Sequence, residues 1–344
     1  MPLTLSDADS QRGLMQFCTQ AQAAIAAAER VLLASHIFPE ADSVGSEAAL
    51  ARHLRAAGKQ VAIRNPNPVP EIYRFLIEYS GLSAAHWSAG AEPLPPHDLV
   101  LVVDVSDWDY MGALGARVKA SPAPKIIFDH HQSRIPRETL ALIDPEASAT
   151  GEVLYRYFLA TGAQIDAPMA QALYASILFD TGSFRFRNAR DETLLIAAEL
   201  IRHGASHTDT AARLFENESF ARVELLTLAL SRLVSELDGR IAWTCLSEDA
   251  FQRTGTTAGD ADGVTDFLMA IRGVELALLF RELPSGEVKV TFRSKGSLNV
   301  GQLAEALGGG GRPTAAGVKM SVRLEEAMGR VVPLVRRMLP VVER

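Results

Sequence analysis

A chain of 344 residues exceeds the size at which one hydrophobic core usually stays single, so two domains are expected. With 48% hydrophobic residues, 22% charged residues and a formal net charge of -7, it reads as an ordinary globular protein. The acidic balance excludes a polybasic surface that grips long nucleic acid by charge alone and leaves room for a short anionic ligand in one local site. Cys18 and Cys245 form neither a disulfide framework nor a CxxC thiolate site. The opening MPLTLSDADSQRGLMQF lacks a basic stretch followed by an apolar core, and LVLVVDV (99–105) is too short to span a bilayer, so a cytoplasmic protein is expected.

In chain order, RVLLAS (30–35), QVAIRN (60–65), DLVLVVDV (98–105) and PKIIFD (124–129) are short apolar or β-branched runs. Between the first two, SVGSEAALARHLRAAGK carries apolar positions at helical spacing. Continuous apolar strands separated by helices predict an α/β fold: a parallel sheet covered by helices on both faces, with ligands at the carboxyl ends of the strands. MAQALYASILFDTGSF (169–184) predicts a helix running into Asp180, and DETLLIAAELIRHGA (191–205) an amphipathic helix ended by Gly204. Residues 208–237 predict a long helical linker. From 238 the strand-like GRIAWTCLS, VELALLFREL and EVKVTFRSK, the helical NVGQLAEALG and the glycine-rich GGGGRPTAAGVKM predict a smaller mixed α/β domain. The expected division is 1–207, 208–237 and 238–344.

The stretch VLLASHIFPEADSVGS (31–46) ends an apolar strand in His36, Glu40 and Asp42, followed by Gly45, read as allowing a close turn, and Ser46 near the helix start. Taken alone this has a bland explanation, with Asp42 or Ser43 capping the helix and His36 a satisfied histidine. The rest of the chain argues otherwise. Asp104 follows LVLVV, Asp129, His130 and His131 follow KIIF, and Asp180 follows ASILF. The fold would gather these ends at one rim, where carboxylates repel and have their pKa raised unless cations lie between them. Oxygen and imidazole donors without thiolates suit Mn, Mg, Zn or Fe, and a mixed set favours Mn-like ions.

These residues resemble the DHH phosphoesterase superfamily, whose name triplet stands here as Asp129, His130 and His131. Its first motif, HxxPDxDxxGS, is met by His36, Pro39, Glu40, Asp42, Gly45 and Ser46, its second by Asp104 and its fourth by Asp180. VTFRSKGSLNVGQLAEALGGGGRPTAAG (290–317) looks like the signature of the DHHA1 domain. By layout the chain is most similar to the two-domain nanoRNase/pAp phosphatase branch, which degrades very short oligonucleotides and removes the 3'-phosphate of phosphoadenosine phosphate. The resemblance implies two divalent ions, Mn2+ first, with Mg2+, Co2+ or Fe2+ as alternatives. One would be held by His36, Glu40 and Asp104, the other by Asp42, Asp104, His130 and Asp180, so that Asp104 bridges them. His131 would face the substrate phosphate and Asp129 would orient a neighbouring histidine. The implied reaction is hydrolysis in which a water activated between the ions attacks phosphorus. Arg293, Ser294, the glycines Gly308, Gly309, Gly310 and Gly311, and Arg312 would bind substrate in the second domain. Arg185 is as readily a surface arginine, and Ser148 and Thr150 read better as a helix cap. His53, His86, His97, His203 and His207 have no assigned role.

Three positions depart from the family pattern: Glu40 replaces Asp, Phe38 replaces Asn and Arg312 replaces His. The longer Glu40 side chain puts the geometry and ion preference of the first metal site in doubt, while an arginine at 312 can still hold phosphate. The favoured reading is a metal-dependent phosphoesterase acting on short single-stranded RNA or DNA, or on a small nucleotide. Its rival within the enzyme class is a cyclic or linear dinucleotide phosphodiesterase. Outside that class stands a weakly active or non-catalytic nucleotide-binding protein. A pyrophosphate-specific enzyme is disfavoured by the glycine-rich C-terminal signature. No membrane or long duplex partner is expected, and a homodimer is left open.

Overall fold

The computed structural model of the chain describes residues 8–90, 93–131, 139–295 and 298–339. Residues 1–7, read above for a leader, and Gly296 and Ser297 of the C-terminal signature lie outside the described residues. The chain divides into two compact units, Met1–Asn217 and Glu218–Arg344.

The first unit carries a six-stranded sheet of β1 (Arg30–Ala34), β2 (Gln60–Asn65), β3 (Trp87–Ala89), β4 (Leu99–Val103), β5 (Lys125–Asp129) and β6 (Leu140–Ile143), in the order β3-β2-β1-β4-β5-β6. Every neighbouring pair is parallel. Its helices are α1 (Ala8–Ala27), α2 (Ala41–Ala56), α3 (Phe75–Tyr79), α4 (Gly112–Ala120), α5 (Thr150–Thr161), α6 (Ala167–Asp180), α7 (Asp191–Arg202) and α8 (His207–Phe215). Strand alternation accounts for burial on both faces. Val31, Leu33, Leu101 and Phe128 join one core with Phe17 of α1, Leu50 of α2, Tyr157 of α5 and Leu173 of α6. Leu32, Val100, Val102 and Ile127 point the other way, into a second core with Leu114 and Val118 of α4.

The strand order reverses between β1 and β4, because the chain runs outward from β1 through β2 and β3 and returns to lay β4 on the other side. Such a reversal opens a crevice beyond the carboxyl ends of the two strands, and His36 and Asp104 follow those strands. Gly45 does not make the turn expected of it, since it lies inside α2. A Cβ there would sit 2.5 Å from the carbonyl oxygen of Ala172, so glycine is what lets α2 and α6 touch backbone to backbone. At Gly151 a Cβ would lie 2.1 Å from Ser176 Oγ, which imposes the same condition between α5 and α6.

The stretch 208–237 is not one continuous helix. Its first part is α8, and α9 (Phe220–Ser231) and β7 (Val234–Glu236) open the second unit. There follow β8 (Ile241–Leu246), α10 (Glu248–Thr254), α11 (Val264–Met269), β9 (Leu276–Glu282), β10 (Val288–Ser294), α12 (Val300–Ala306), β11 (Gly310–Arg312), β12 (Ala315–Met320) and α13 (Leu324–Met338). The six strands lie in the order β11-β12-β10-β9-β8-β7, with β8 and β9 parallel and the other pairs antiparallel. Val288, Val290 and Phe292 alternate inward onto Leu324, Val331 and Val335 of α13.

Candidate metal centre

The loop after β1 and the start of α2 set the first donors. Ser43 Oγ accepts the backbone N–H of Glu40 at 3.0 Å, so Ser43 closes the helix start and Asp42 is released from that duty. The Asp42 carboxylate turns instead to the N-terminus of α5, accepting the backbone N–H groups of Thr150 at 2.8 Å and Gly151 at 3.2 Å. The positive end of that helix suits a buried carboxylate. Hydroxyls of Ser46 and Ser176 also donate to Asp42. Thr150, read from sequence as a cap, sends its Oγ1 to Asp104 Oδ1 at 3.1 Å and thereby ties the two aspartates together.

Asp104 is 2% exposed and has φ of 62°, a left-handed backbone that turns the chain sharply at the end of β4. Burial, followed by the charges of Asp42, Glu40, Asp180 and Asp129, pushes its carboxyl well above the ordinary carboxylate range. Asp129, the last residue of β5, accepts through Oδ1 from the backbone N–H groups of His130 (2.8 Å) and His131 (3.0 Å) and contacts His131 Nδ1 at 2.8 Å. Burial raises Asp129, but these interactions with His131 outweigh it and hold the carboxyl below the usual range.

The histidines define the chemistry. His36 Nδ1 lies 2.6 Å from the Ile37 carbonyl oxygen and His130 Nδ1 lies 3.2 Å from that of Ala147. A carbonyl only accepts, so each Nδ1 carries the hydrogen, and Nε2 of the neutral ring bears a lone pair. Yet His36 Nε2 is 3.1 Å from Asp104 Oδ2, and His130 Nε2 is 3.3 Å from Asp180 Oδ2 and 3.7 Å from both Asp42 Oδ2 and Asp104 Oδ1. Lone pairs facing carboxylate oxygens require a proton or a cation between them, and a backbone carbonyl behind the ring is the support that metal-bound histidines use. The donor atoms of His36, Glu40 and Asp104 lie within 4.8 Å of one another, as do those of Asp42, His130 and Asp180, and of Asp104, His130 and His131. Carboxylate oxygens with imidazole nitrogens are donors that could hold a divalent ion. His131 is the exception, with Nδ1 turned to Asp129 and also 3.6 Å from Asp104 Oδ1.

Sequence reasoning missed Thr150, Gly151, Ser46 and Ser176 as supports of Asp42 and Asp104. Ser46 stood in the first motif without a stated partner, and the TGE opening α5 resembles an ordinary cap. Asn188 was missed as well; its amide donates to the carbonyl oxygens of Ser148 and Asp180 at 3.0 Å, pinning the end of α6. Ser148 itself bonds Glu152. Arg185 is exposed, its Nε on the Gly182 carbonyl. His97 and His207 are engaged by Ser121 and Tyr174.

In the second unit, Arg293 and Arg312 are both registered opposite Ala315, from β10 and β11, so they share one row and one face of that sheet. Arg293 meets Asp266 at 3.3 Å, and Arg312 is exposed. Ser294 donates to the Leu298 carbonyl within its own loop. The four glycines are not a simple loop: Gly308 follows α12 with φ of 85°, while Gly310 and Gly311 belong to β11. A Cβ at Gly309 would lie 2.2 Å from the Gly317 carbonyl oxygen, so strand packing already demands glycine there.

The DHH family N-terminal domain matches residues 30–177 and the DHHA1 domain residues 239–339. The chain is 30% identical over 314 residues to a bifunctional oligoribonuclease and PAP phosphatase NrnA of Thermus thermophilus, covering 90% of each protein. It is 28% identical over 298 residues to the Bacillus subtilis protein of that name, covering 85% of this chain and 90% of the relative. The fold is shared with an exopolyphosphatase-related protein of Bacteroides fragilis, with a TM-score of 0.86 and 22% identity over 98% of this chain and 97% of that one. The sheet order, the aspartates and histidines at its carboxyl edge and these matches lead to one conclusion: the chain belongs to the DHH phosphoesterase family, in its DHHA1-bearing branch.

Proposed function

We propose that the protein is a divalent-metal-dependent phosphoester hydrolase of the cytoplasm, acting on short single-stranded oligonucleotides and on 3'-phosphoadenosine 5'-phosphate, with Mn2+ as the preferred ion. The observation that carries this reading is the pair of imidazoles, His36 and His130, whose Nδ1 hydrogens are taken by backbone carbonyls while Nε2 faces carboxylates. His36, Glu40 and Asp104 would hold one ion, and Asp42, Asp104, His130 and Asp180 the other. Bound cations supply Lewis-acid charge and make water a stronger nucleophile at neutral pH. The chain's own residues position the rest. Asp129 fixes the His131 ring, which leaves the other ring nitrogen to face the phosphate and counter its developing charge. Thr150 holds Asp42 and Asp104 in register. Within the second unit, Arg293 and Arg312 are assigned to phosphate or base contacts, and Ser294 and Gly308–Gly311 to shaping that surface. The names of the relatives support the substrate class, and the unpaired Cys18 and Cys245 suit a reducing compartment.

The test is turnover with Mn2+ of dinucleotide and longer short RNA, of 3'-phosphoadenosine 5'-phosphate and of cyclic di-AMP. The first two are expected to be hydrolysed faster than the third. Preference for cyclic di-AMP would move the protein to the rival reading, and inertness toward all three would overturn the proposal. Asp104→Asn, which suits the left-handed backbone there, is expected to keep the fold while losing more than about 100-fold in rate and releasing bound metal. Wild-type rate and metal content would remove Asp104 from its shared position.

A further inference from the structure

Phe38 is an anomaly at the centre of the first motif. Its side chain is 73% exposed and its φ is 57°, in the left-handed region, where a bulky residue is rare and strained. Neither burial nor backbone preference explains an aromatic ring here, since Asn or Gly would relieve the strain and avoid exposing apolar surface. The backbone around it is firmly held. The Phe38 N–H donates to Asn67 Oδ1 at 3.0 Å, the Ile37 N–H donates to the Tyr110 carbonyl at 2.8 Å, and the Ile37 carbonyl is the one that accepts from His36. The ring is therefore rooted two residues from His36 and two from Glu40, so its Cα is within about 7.6 Å of either. A second ring, Tyr110, is 60% exposed on the loop after β4, whose carbonyl grips Ile37. Exposed aromatic rings beside a phosphate-handling centre are the platform on which single-stranded nucleic acids stack their bases.

We propose that Phe38 is a substrate-specificity residue that stacks on the nucleobase adjoining the phosphate under attack. The idea rests on the phosphoesterase reading above. Stacking needs no particular hydrogen-bond pattern, so Phe38 favours substrates bearing a base next to the scissile phosphate, with little discrimination among bases. Because the contact is present before and during reaction, it acts on KM rather than kcat.

The experiment compares Phe38→Asn and Phe38→Trp with the wild type on a diribonucleotide and on the same backbone with the adjoining base removed. Phe38→Asn is expected to raise KM for the diribonucleotide about tenfold, with kcat within about twofold, and to confine that loss to the base-bearing substrate. Its melting temperature should be equal or higher, because strain is relieved. Phe38→Trp is expected to restore KM, and its fluorescence, after subtraction of the wild-type signal, to be quenched by adenosine 3',5'-bisphosphate but not by inorganic phosphate. An equal effect on both substrates, an unchanged KM or a fall in melting temperature for Phe38→Asn would overturn the stacking role. Turnover without quenching defeats this proposal alone, whereas quenching in a protein inert toward every phosphoester defeats the hydrolase reading and leaves stacking standing.

Discussion

Glu47, in the second turn of α2, has no exposed surface, takes a hydrogen bond from Asn65 Nδ2 at 2.8 Å and leaves Oε1 without a partner among the described residues. Burial, only partly opposed by the Asn65 bond, pushes its carboxyl up to about 8. Asn65 Oδ1 in turn accepts the backbone N–H of Ser35 at 3.0 Å, so a neutral Glu47 stands behind the residue that precedes His36. The folded chain keeps a proton there that the unfolded chain gives up above its ordinary value of 4.5. Stability from this group is therefore complete below about pH 4.5, declines as pH rises and stops changing above about pH 8. Glu47→Gln retains an acceptor for Asn65 and cannot titrate. Urea unfolding in a chelator should show a smaller loss of stability between about pH 5 and 8 than in the wild type. An identical pH slope in the two proteins would mean that Glu47 is ionised in the fold.

Among the elements, α2, α5 and α6 act as one support, with α2 presenting Asp42, α5 turning its amino end to that carboxylate and α6 ending at Asp180. Their closeness depends on absent side chains at Gly45 and Gly151. Gly45→Ala places a methyl against the Ala172 carbonyl and forces α2 away from α6, at a cost of roughly 1–3 kcal/mol. Asp42 lies one turn earlier on the same helix, so metal retention is expected to fall together with the melting temperature. Calorimetry of metal binding beside thermal unfolding checks this. A variant that loses stability but binds metal as before would separate the helix contact from the position of Asp42.

Across the whole molecule, each unit has a buried core of its own. Phe128 packs edge-on against Phe17 and Tyr157, at ring centroid distances of 5.4 and 5.1 Å, in the first, and Phe280 and Phe292 anchor the second. Buried clusters that each stay within one unit predict two folding units. Fragments separated between Asn217 and Glu218 should each give a cooperative thermal transition with native far-UV circular dichroism. A second fragment that stays unfolded by itself would show that its sheet depends on the rest of the chain.

Much of this was readable in the sequence, for a local reason. The runs at 30–35, 98–105 and 124–129 have unbroken apolar centres, VLLA, LVLVV and IIF, as strands buried on both faces must, whereas QVAIRN (60–65) alternates in burial, and the acids and histidines that crowd the crevice come at the ends of β1, β4 and β5. Their convergence follows from strand direction alone, so His36, Asp104, Asp129, His130 and His131 could be assigned to one rim before any contact was seen. Which groups support them could not. Thr150 and Ser176 reach Asp42 only because α5 and α6 pack beside α2, across sequence separations of 108 and 134 residues. The strained backbones of Phe38 and Asp104, the helix contact at Gly45 and the strand made by Gly310 and Gly311 likewise arise from close approach of distant segments. Residue order determined the elements and the kinds of donor atom; packing decided which donors face one another and which backbone atoms hold them there, because those are properties of side chains brought together only by the fold.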